Sequence, residues 1–265
     1  MTIDPSAVIH PSAVVEPGAH IGPECIIGPF CYVGAQVILN ARVHLKPHVI
    51  VTGSTTIDED TVVFSFAVVG EIPQDKKFQG EETRLDIGKR NRIREHVTIN
   101  TGTGGGGSLT KIGNDCLLMA GCHVAHDAIL GDRVIIVNSA AIAGHCLIED
   151  DVIVGGLCGV HQFVRIGKGA IIGAVTMVTN DVIPYGLVQG PRGVLDGLNL
   201  VGLKRKGVSR EDITALRASF QMLAQGDGAF QDRARRLGED SDSVYVKDIV
   251  DFIMGDSDRS FLTPG

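Results

Sequence analysis

The amino-acid sequence predicts an all-β solenoid of short parallel strands followed by a small C-terminal helical domain. Three observations predict it: an aliphatic residue at every sixth position, a small or β-branched residue four places after most of these, and loss of the period beyond Pro184. The aliphatic column runs in phase from Ile3, Ile9 and Val15 to Val69. It returns at Ile87, Ile93 and Ile99, and again from Ile112 and Leu118 to Val178. A fixed short period of this kind is the mark of stacked repeats, in which no single turn buries its own apolar residues.

Three six-residue sides close one triangular coil of eighteen residues. The two long runs then make four coils each and the middle run makes one, a prism about 40 Å tall at about 4.8 Å per strand. Ala7, Ala13, Ala128 and Ala140 alternate with the aliphatics in one interior. Gly22, Gly28, Gly34 and Gly113 follow the aliphatic directly and are expected to supply the backbone freedom of a tight corner. All six cysteines (Cys25, Cys31, Cys116, Cys122, Cys146 and Cys158) occupy the small inward column. They read as small hydrophobes without disulfides.

Two insertions break the period, Glu71 to Asp86 and Asn100 to Lys111. Loops leaving a rigid scaffold are where binding residues gather. The second contains Gly104 to Gly107, but no Gly-Lys-Ser/Thr follows and no helix pattern opens there, so it is not a phosphate-binding P-loop. The solenoid is thus assigned to residues 1–184 and the helical domain to 185–265. In the latter, Ser209 with Asp212 makes a capping box ahead of an apolar face formed by Ile213, Leu216, Phe220 and Leu223. A second amphipathic stretch holds Phe230, Ala234 and Leu237, then Val246, Ile249 and Ile253.

Composition agrees with many thin strands: 44% apolar but 5% aromatic, no Trp and 34 Gly. No apolar run reaches the roughly 18 residues of a membrane span, and the repeat begins at Ile3, so a cytoplasmic protein without a signal peptide is expected. The net charge of −7 argues against nucleic acid as a partner.

Chemistry rests on the histidines. His126, His145 and His161 lie in corner segments whose sextets start at Val124, Ile142 and Val160, eighteen residues apart. They are expected to stack on one edge about 5 Å apart, with His123 close by. Such a ladder suits acyl transfer from a thioester, which needs a general base and an oxyanion donor but no enzyme nucleophile. His126 is the base candidate because Asp127 follows it and can fix its tautomer, and the Gly144 amide is the oxyanion candidate. A zinc site on His123, His126 and His145, as in γ-type carbonic anhydrases, is the rival reading of the same histidines. A non-catalytic scaffold is another.

The segments Gly28-Pro29-Phe30-Cys31, Asn91-Arg92-Ile93-Arg94-Glu95, Val124-Ala125-His126-Asp127, Ala143-Gly144-His145, Val160-His161-Gln162-Phe163 and Gly202-Leu203-Lys204-Arg205 carry a resemblance. It covers the whole chain. The period resembles the hexapeptide-repeat acyltransferases, and the segments in this order resemble the UDP-N-acetylglucosamine O-acyltransferases of lipid A biosynthesis. The resemblance implies a left-handed parallel β-helix, against the usual crossover hand, and a homotrimer with clefts between prisms. It implies transfer of an (R)-3-hydroxyacyl chain from acyl carrier protein to the glucosamine 3-position of the UDP-sugar, with no cofactor and no metal. By matching position it implies that Asp75, Lys77, His123, His145, His161 and Gln162 hold the sugar and acyl-pantetheine. Asn199 and Arg205 are matched to the nucleotide, and Ala174 to an acyl-length ruler. The chain has Asn100-Thr101 where well-studied members have His-Arg, which leaves a 3-amino sugar as the alternative acceptor.

Overall fold

The computed structural model describes residues 2–264. Its first 27 strands wind into nine triangular coils whose sides form three parallel sheets, a left-handed parallel β-helix. Sheet A runs from Thr2–Ile3 to Arg165–Ile166, sheet B from Val8–Ile9 to Ile171–Ile172, and sheet C from Val14–Val15 to Met177–Val178. The chain passes from A to B to C and back to A. Three edges result, A–B, B–C and C–A.

Most strands are two residues long, the first pointing out and the second buried, as in Ile26–Ile27. Eighteen-residue winding sets the register: Val8 pairs with Ile26, and His123 with Ala141. The aliphatic column fills the interior, where Ile21, Leu39, Leu85 and Ile142 are fully buried. All six cysteines are buried and free. Burial pushes the Cys116 thiol up to about 11 and those of Cys122 and Cys146 up to about 12, so none is available as a nucleophilic thiolate.

Corners follow one rule. The amide of the first corner residue takes no part in the backbone ladder, and Pro5, Pro11, Pro23, Pro29 and Pro47 stand there at no loss. The second is left-handed even where it carries a side chain, with φ of 58° at Arg42, 58° at Asp127 and 61° at His145. Its amide offsets that strain by bonding the corner carbonyl one coil back, as from His145 to His126 at 3.1 Å. The expectation for the glycines therefore needs correcting. Gly22 and Gly113 are not left-handed; a Cβ on Gly22 would come within 2.9 Å of the Leu39 carbonyl oxygen and one on Gly113 within 2.4 Å of that of Gly131. They serve close stacking.

The insertions are shorter than the period indicated. Arg84–Ile87 and Leu109–Ile112 are four-residue strands paired with each other, the former also with Ser54–Ile57, leaving loops 72–83 and 101–108. Both leave from sheet C and return to sheet A, so both overhang the C–A edge.

The C-terminal segment begins with strands and not helices. Gly186–Gln189 extends sheet B in parallel, and Val194–Leu198 pairs with it antiparallel. Four helices follow: α1 (Leu200–Arg205), α2 (Arg210–Gln225), α3 (Phe230–Asp240) and α4 (Val244–Met254). Ser209 caps α2 as expected, its hydroxyl accepting the Asp212 N–H at 3.0 Å. A buried ion pair at the end of the prism, Arg165 Nε donating to Asp181 Oδ2 at 2.7 Å, holds this segment: the guanidinium donates to the Phe252 carbonyl at 3.2 Å and lies 4.5 Å over its ring, and Asp181 accepts the Ser257 hydroxyl at 2.6 Å. Among the described residues no helix is long and apolar enough to cross a membrane.

Candidate active site

The C–A edge carries the cluster. His126, Gly144 and Gln162 hold the first corner position in three successive coils, and Asp127, His145 and Phe163 hold the second. One residue of register separates the two columns, and that residue decides who meets whom. His126 and His145 touch edge to face with ring centroids 5.1 Å apart, and His145 stacks on Phe163 at 4.4 Å. Phe163, not His161, is therefore the next rung. His161 sits one position earlier in its corner, exposed, with Nδ1 held by the Arg259 guanidinium at 2.7 Å.

Asp127 organises the corner. Its side chain is 0% exposed and that of His126 14%, with His126 Nδ1 2.8 Å from Asp127 Oδ2. An ionised carboxylate only accepts, so Nδ1 carries the proton and Nε2 is left as the basic atom. Thr103, from the second insertion, donates its hydroxyl to Asp127 Oδ2 at 2.6 Å and its amide to both oxygens at 2.9 and 3.1 Å. The Asp127 amide donates to Thr110 Oγ1 at 2.8 Å.

These contacts explain two of the loop's glycines. A Cβ on Gly106 would lie 2.2 Å from the Asp127 carboxyl carbon, and one on Gly102 would lie 2.8 Å from Oδ1. Glycine lets the loop close over a buried carboxylate. Gly144 acts likewise one coil on, since a Cβ there would meet His126 Cε1 at 2.6 Å. Its N–H makes no hydrogen bond among the described residues, whereas its carbonyl accepts from Phe163.

Burial holds the His145 imidazole below the usual histidine range, with Asp127 and Asp75 opposing and His126 reinforcing. His123 is also lowered, by burial and then by His126; its Nδ1 lies 2.7 Å from Thr98 Oγ1. Above these rings lies a cavity of about 290 Å³ lined by Asp75, Lys77, Phe78, Glu81, Thr103, Gly105, His145 and Phe163. A neighbouring space of about 340 Å³ shares His145 and Phe163 and reaches Ser257 in the C-terminal tail.

Donor atoms of His126, Asp127 and His145 lie within 4.8 Å of one another, a spacing that a cation could bridge. It is not the trio the zinc reading required, because His123 is turned to Thr98. The Asp127 oxygens are already taken by Thr103 and His126, which leaves a poor ligand.

A family model described as Udp N-acetylglucosamine O-acyltransferase, Domain 2, matches residues 181–262, and one described as bacterial transferase hexapeptide (six repeats) matches residues 1–35 and 109–144. The acyl-(acyl-carrier-protein)-UDP-N-acetylglucosamine O-acyltransferase of Paracoccus denitrificans (strain Pd 1222) is 69% identical over 204 residues, 77% of either chain. The protein of the same name from Rhizobium rhizogenes (strain K84 / ATCC BAA-868) is 47% identical over 221 residues, 83% of this chain and 82% of its own. A solved structure, the UDP-N-acetylglucosamine acyltransferase from Campylobacter jejuni, superposes with a TM-score of 0.91 over 97% of this chain and 100% of its own, at 36% identity. The chain belongs to the UDP-N-acetylglucosamine O-acyltransferase family.

Not every residue matched to this acyltransferase family lies on the His126 edge. Asn199 and Arg205 line a third cavity, of about 210 Å³, with Arg133, Asp151 and Gly169 on the A–B edge. There the Asn199 side chain accepts the Gly202 N–H and donates to the Gly169 carbonyl, both at 2.9 Å, capping α1. Ala174 is exposed at a B–C corner of the last coil, so within one chain it is remote from His126 in both edge and height. Asn100 and Thr101 are buried. Asn100 Nδ2 donates to the Ile72 carbonyl at 2.9 Å, and Thr101 shares a 3.0 Å hydrogen bond with Thr83. They fasten the base of the first insertion.

Thr103, Phe163 and Arg259 are the contacts that sequence reasoning missed. Phe163 had a signal, its place eighteen residues after His145. Thr103 and Arg259 sit outside the repeat, where no period reports on position.

Proposed function

We propose that the chain transfers an (R)-3-hydroxyacyl group from acyl carrier protein to the 3-hydroxyl of UDP-N-acetylglucosamine, with His126 as general base. The observation that carries this reading is the His126–Asp127 pair, 2.8 Å apart, the carboxylate fully buried beneath the second insertion loop. His126 Nε2 takes the hydroxyl proton as the sugar oxygen attacks the thioester carbonyl. The Gly144 N–H receives the oxyanion, and Asp127 stabilises the imidazolium. Collapse of the tetrahedral intermediate breaks the C–S bond, and the imidazolium returns its proton to the departing pantetheine sulfur. A thioester brings its own activation, so this chemistry asks for no cofactor. Asp75, Lys77, His123, His145 and Gln162 are proposed to hold sugar and pantetheine, and His161 to border the cleft.

The reading extends to a homotrimer. Outward positions along sheet C are Val14, Tyr32, Ile50, Val68, Thr98, His123, Ala141, Gly159 and Met177, none bearing a formal charge, with Glu71 charged where the first insertion leaves the sheet, whereas sheet A shows Asp86, Lys111 and Arg165. Sheet C is thus suited to cover by a second copy. A three-fold ring that covers it would bring the A–B edge of one copy, with Asn199 and Arg205, to the C–A edge of the next. Acyl carrier protein and nucleotide sugars are cytoplasmic pools, and we place the reaction there.

A transfer assay with acyl carrier protein donors of several chain lengths, against UDP-N-acetylglucosamine and its 3-amino analogue, tests the reaction. His126→Ala is expected to lower kcat by about 10²–10⁴-fold. Mixed trimers of His126→Ala and Arg205→Ala chains are expected to regain activity if the site is shared between copies. Undiminished transfer by His126→Ala, or preference for the amino sugar, would refute the reading.

A further inference from the structure

Asp127 has the wrong surroundings for a carboxylate left to choose its own angle. Four hydrogen-bond contacts converge on its two oxygens, and three of them come from one residue, Thr103. That residue belongs to the loop 101–108, tied to strands at its ends: the Thr101 and Gly102 amides donate to the Glu71 and Arg84 carbonyls at 3.1 and 3.3 Å, and the Ser108 carbonyl accepts the Arg84 N–H at 2.9 Å. Within the loop the Thr103 carbonyl accepts the Gly106 and Ser108 amides at 3.0 and 2.9 Å, and the next residue is held from the other insertion: Glu81 Oε1 accepts the Gly104 N–H at 3.0 Å, and Glu81 Oε2 accepts the Gln79 N–H at 2.8 Å. The same first insertion carries Asp75, whose carboxylate accepts the Lys77 N–H at 2.9 Å, and Asp75, Lys77, Glu81 and Thr103 line one cavity together with His145.

From this chain of contacts we infer that Thr103 is a positioning residue for the His126–Asp127 pair, and that Glu81 couples it to the substrate-facing loop. The inference rests on the reading of His126 as the base. The Thr103 hydroxyl and amide hold the Asp127 carboxylate in the plane that meets His126 Nδ1 and draw off part of its charge. Glu81 locks Gly104, the residue after Thr103, to the loop that bears Asp75 and Lys77. Movement of that loop on a bound sugar is thereby passed to the base through three hydrogen bonds, Glu81 to Gly104, Thr103 to Asp127 and Asp127 to His126, and one peptide unit.

Thr103→Val keeps the branched shape and removes only the hydroxyl. It is expected to lower kcat about tenfold with KM for the UDP-sugar changed less than threefold, since the defect lies in the base and not in binding. With one donor gone, Asp127 pulls harder on the imidazolium, so the acid limb of the kcat/KM pH profile should move to higher pH. Thr103→Ser should restore both. Glu81→Ala should lower kcat in the same way, and adding it to Thr103→Val should lower it no further, because both act on one path. A merely structural loop residue would shift melting temperature without moving the pH limb. The inference is overturned if Thr103→Val keeps the wild-type limb and kcat, and its coupling arm if the two substitutions are additive. Should His126→Ala retain activity, the base reading fails first; a dead His126→Ala beside a normal Thr103→Val defeats this inference alone.

Discussion

The A–B and C–A edges are built from the same corner, with the same left-handed second residue, and do opposite things with charge. Along A–B, that residue alternates in sign: Arg42 pairs with Asp60 at 2.7 Å, Arg90 with Asp115 at 2.7 Å and Arg133 with Asp151 at 2.8 Å, all partly exposed. Along C–A the column reads Asp127, His145, Phe163, and the one carboxylate is sealed from water. The difference teaches that the coil does not make the site. Two loops make it, by covering one corner and leaving the other open, so that the same kind of carboxylate is a weak staple on one edge and a preorganised partner of a base on the other.

The largest test of that contrast is Asp127→Asn. The amide keeps the shape but presents a donor toward groups that already donate, and it cannot stabilise an imidazolium, so kcat should fall by about 10³-fold. The matching change on the open edge, Asp115→Asn, should leave the rate unaltered. Steady-state kinetics on both variants, with melting curves as controls, decide it: an Asp127→Asn enzyme within fivefold of wild type would erase the distinction between the edges.

The contrast also shows what a sequence can disclose. Nine coils, the inward cysteines and the capped helix α2 were legible because each follows from a period or a local rule. The cluster was half legible. His126, Asp127 and His145 fell together because eighteen-residue winding is strict, but His161 did not join them, since an edge column tolerates no slip of a single residue and His161 is one place early. A true aromatic ladder went unread on the third edge, where Phe30, His48, Phe66 and His96 stack at 5.0–5.1 Å. The insertion between Phe66 and His96 hides its spacing. Thr103 could not be found at all from pattern, because its partner is fixed by how a glycine loop folds back. The assignment of Asn199 and Arg205 came from matching position alone, and a single chain does not bring them to His126.

Acid should separate the edges by pH window. His123 and His145 have native pKa values below the usual value of about 6.5, chiefly through burial, so the unfolded chain binds protons that the native one refuses. Their contribution is complete above about pH 6.5 and drains away as pH falls below it. Asp60 and Asp115 are held below the usual carboxylate range by Arg42 and Arg90, and their contribution persists until pH falls below about 4. Melting temperature should therefore decline between pH 7.5 and 5.5. His123→Gln/His145→Gln should flatten that decline, with a remainder from His44, which burial also lowers. An unchanged slope in the double variant would show that the site histidines are not what acid attacks first.

The smallest effect belongs to the open edge. In Arg90→Ala the bidentate contact to Asp115 is lost, but both partners keep access to water: the Arg90 side chain is 53% exposed and that of Asp115 40%. Attraction across such a pair is screened by solvent and salt, and the ordering of two side chains opposes it. Melting temperature should drop by less than about 3 °C, the difference should shrink further in 1 M salt, and transfer activity should stay at the wild-type level. A large, salt-insensitive loss would mean that Arg90 contributes through its packed methylenes along the corner, and the ion-pair ladder would then have to be read as packing that happens to carry charge.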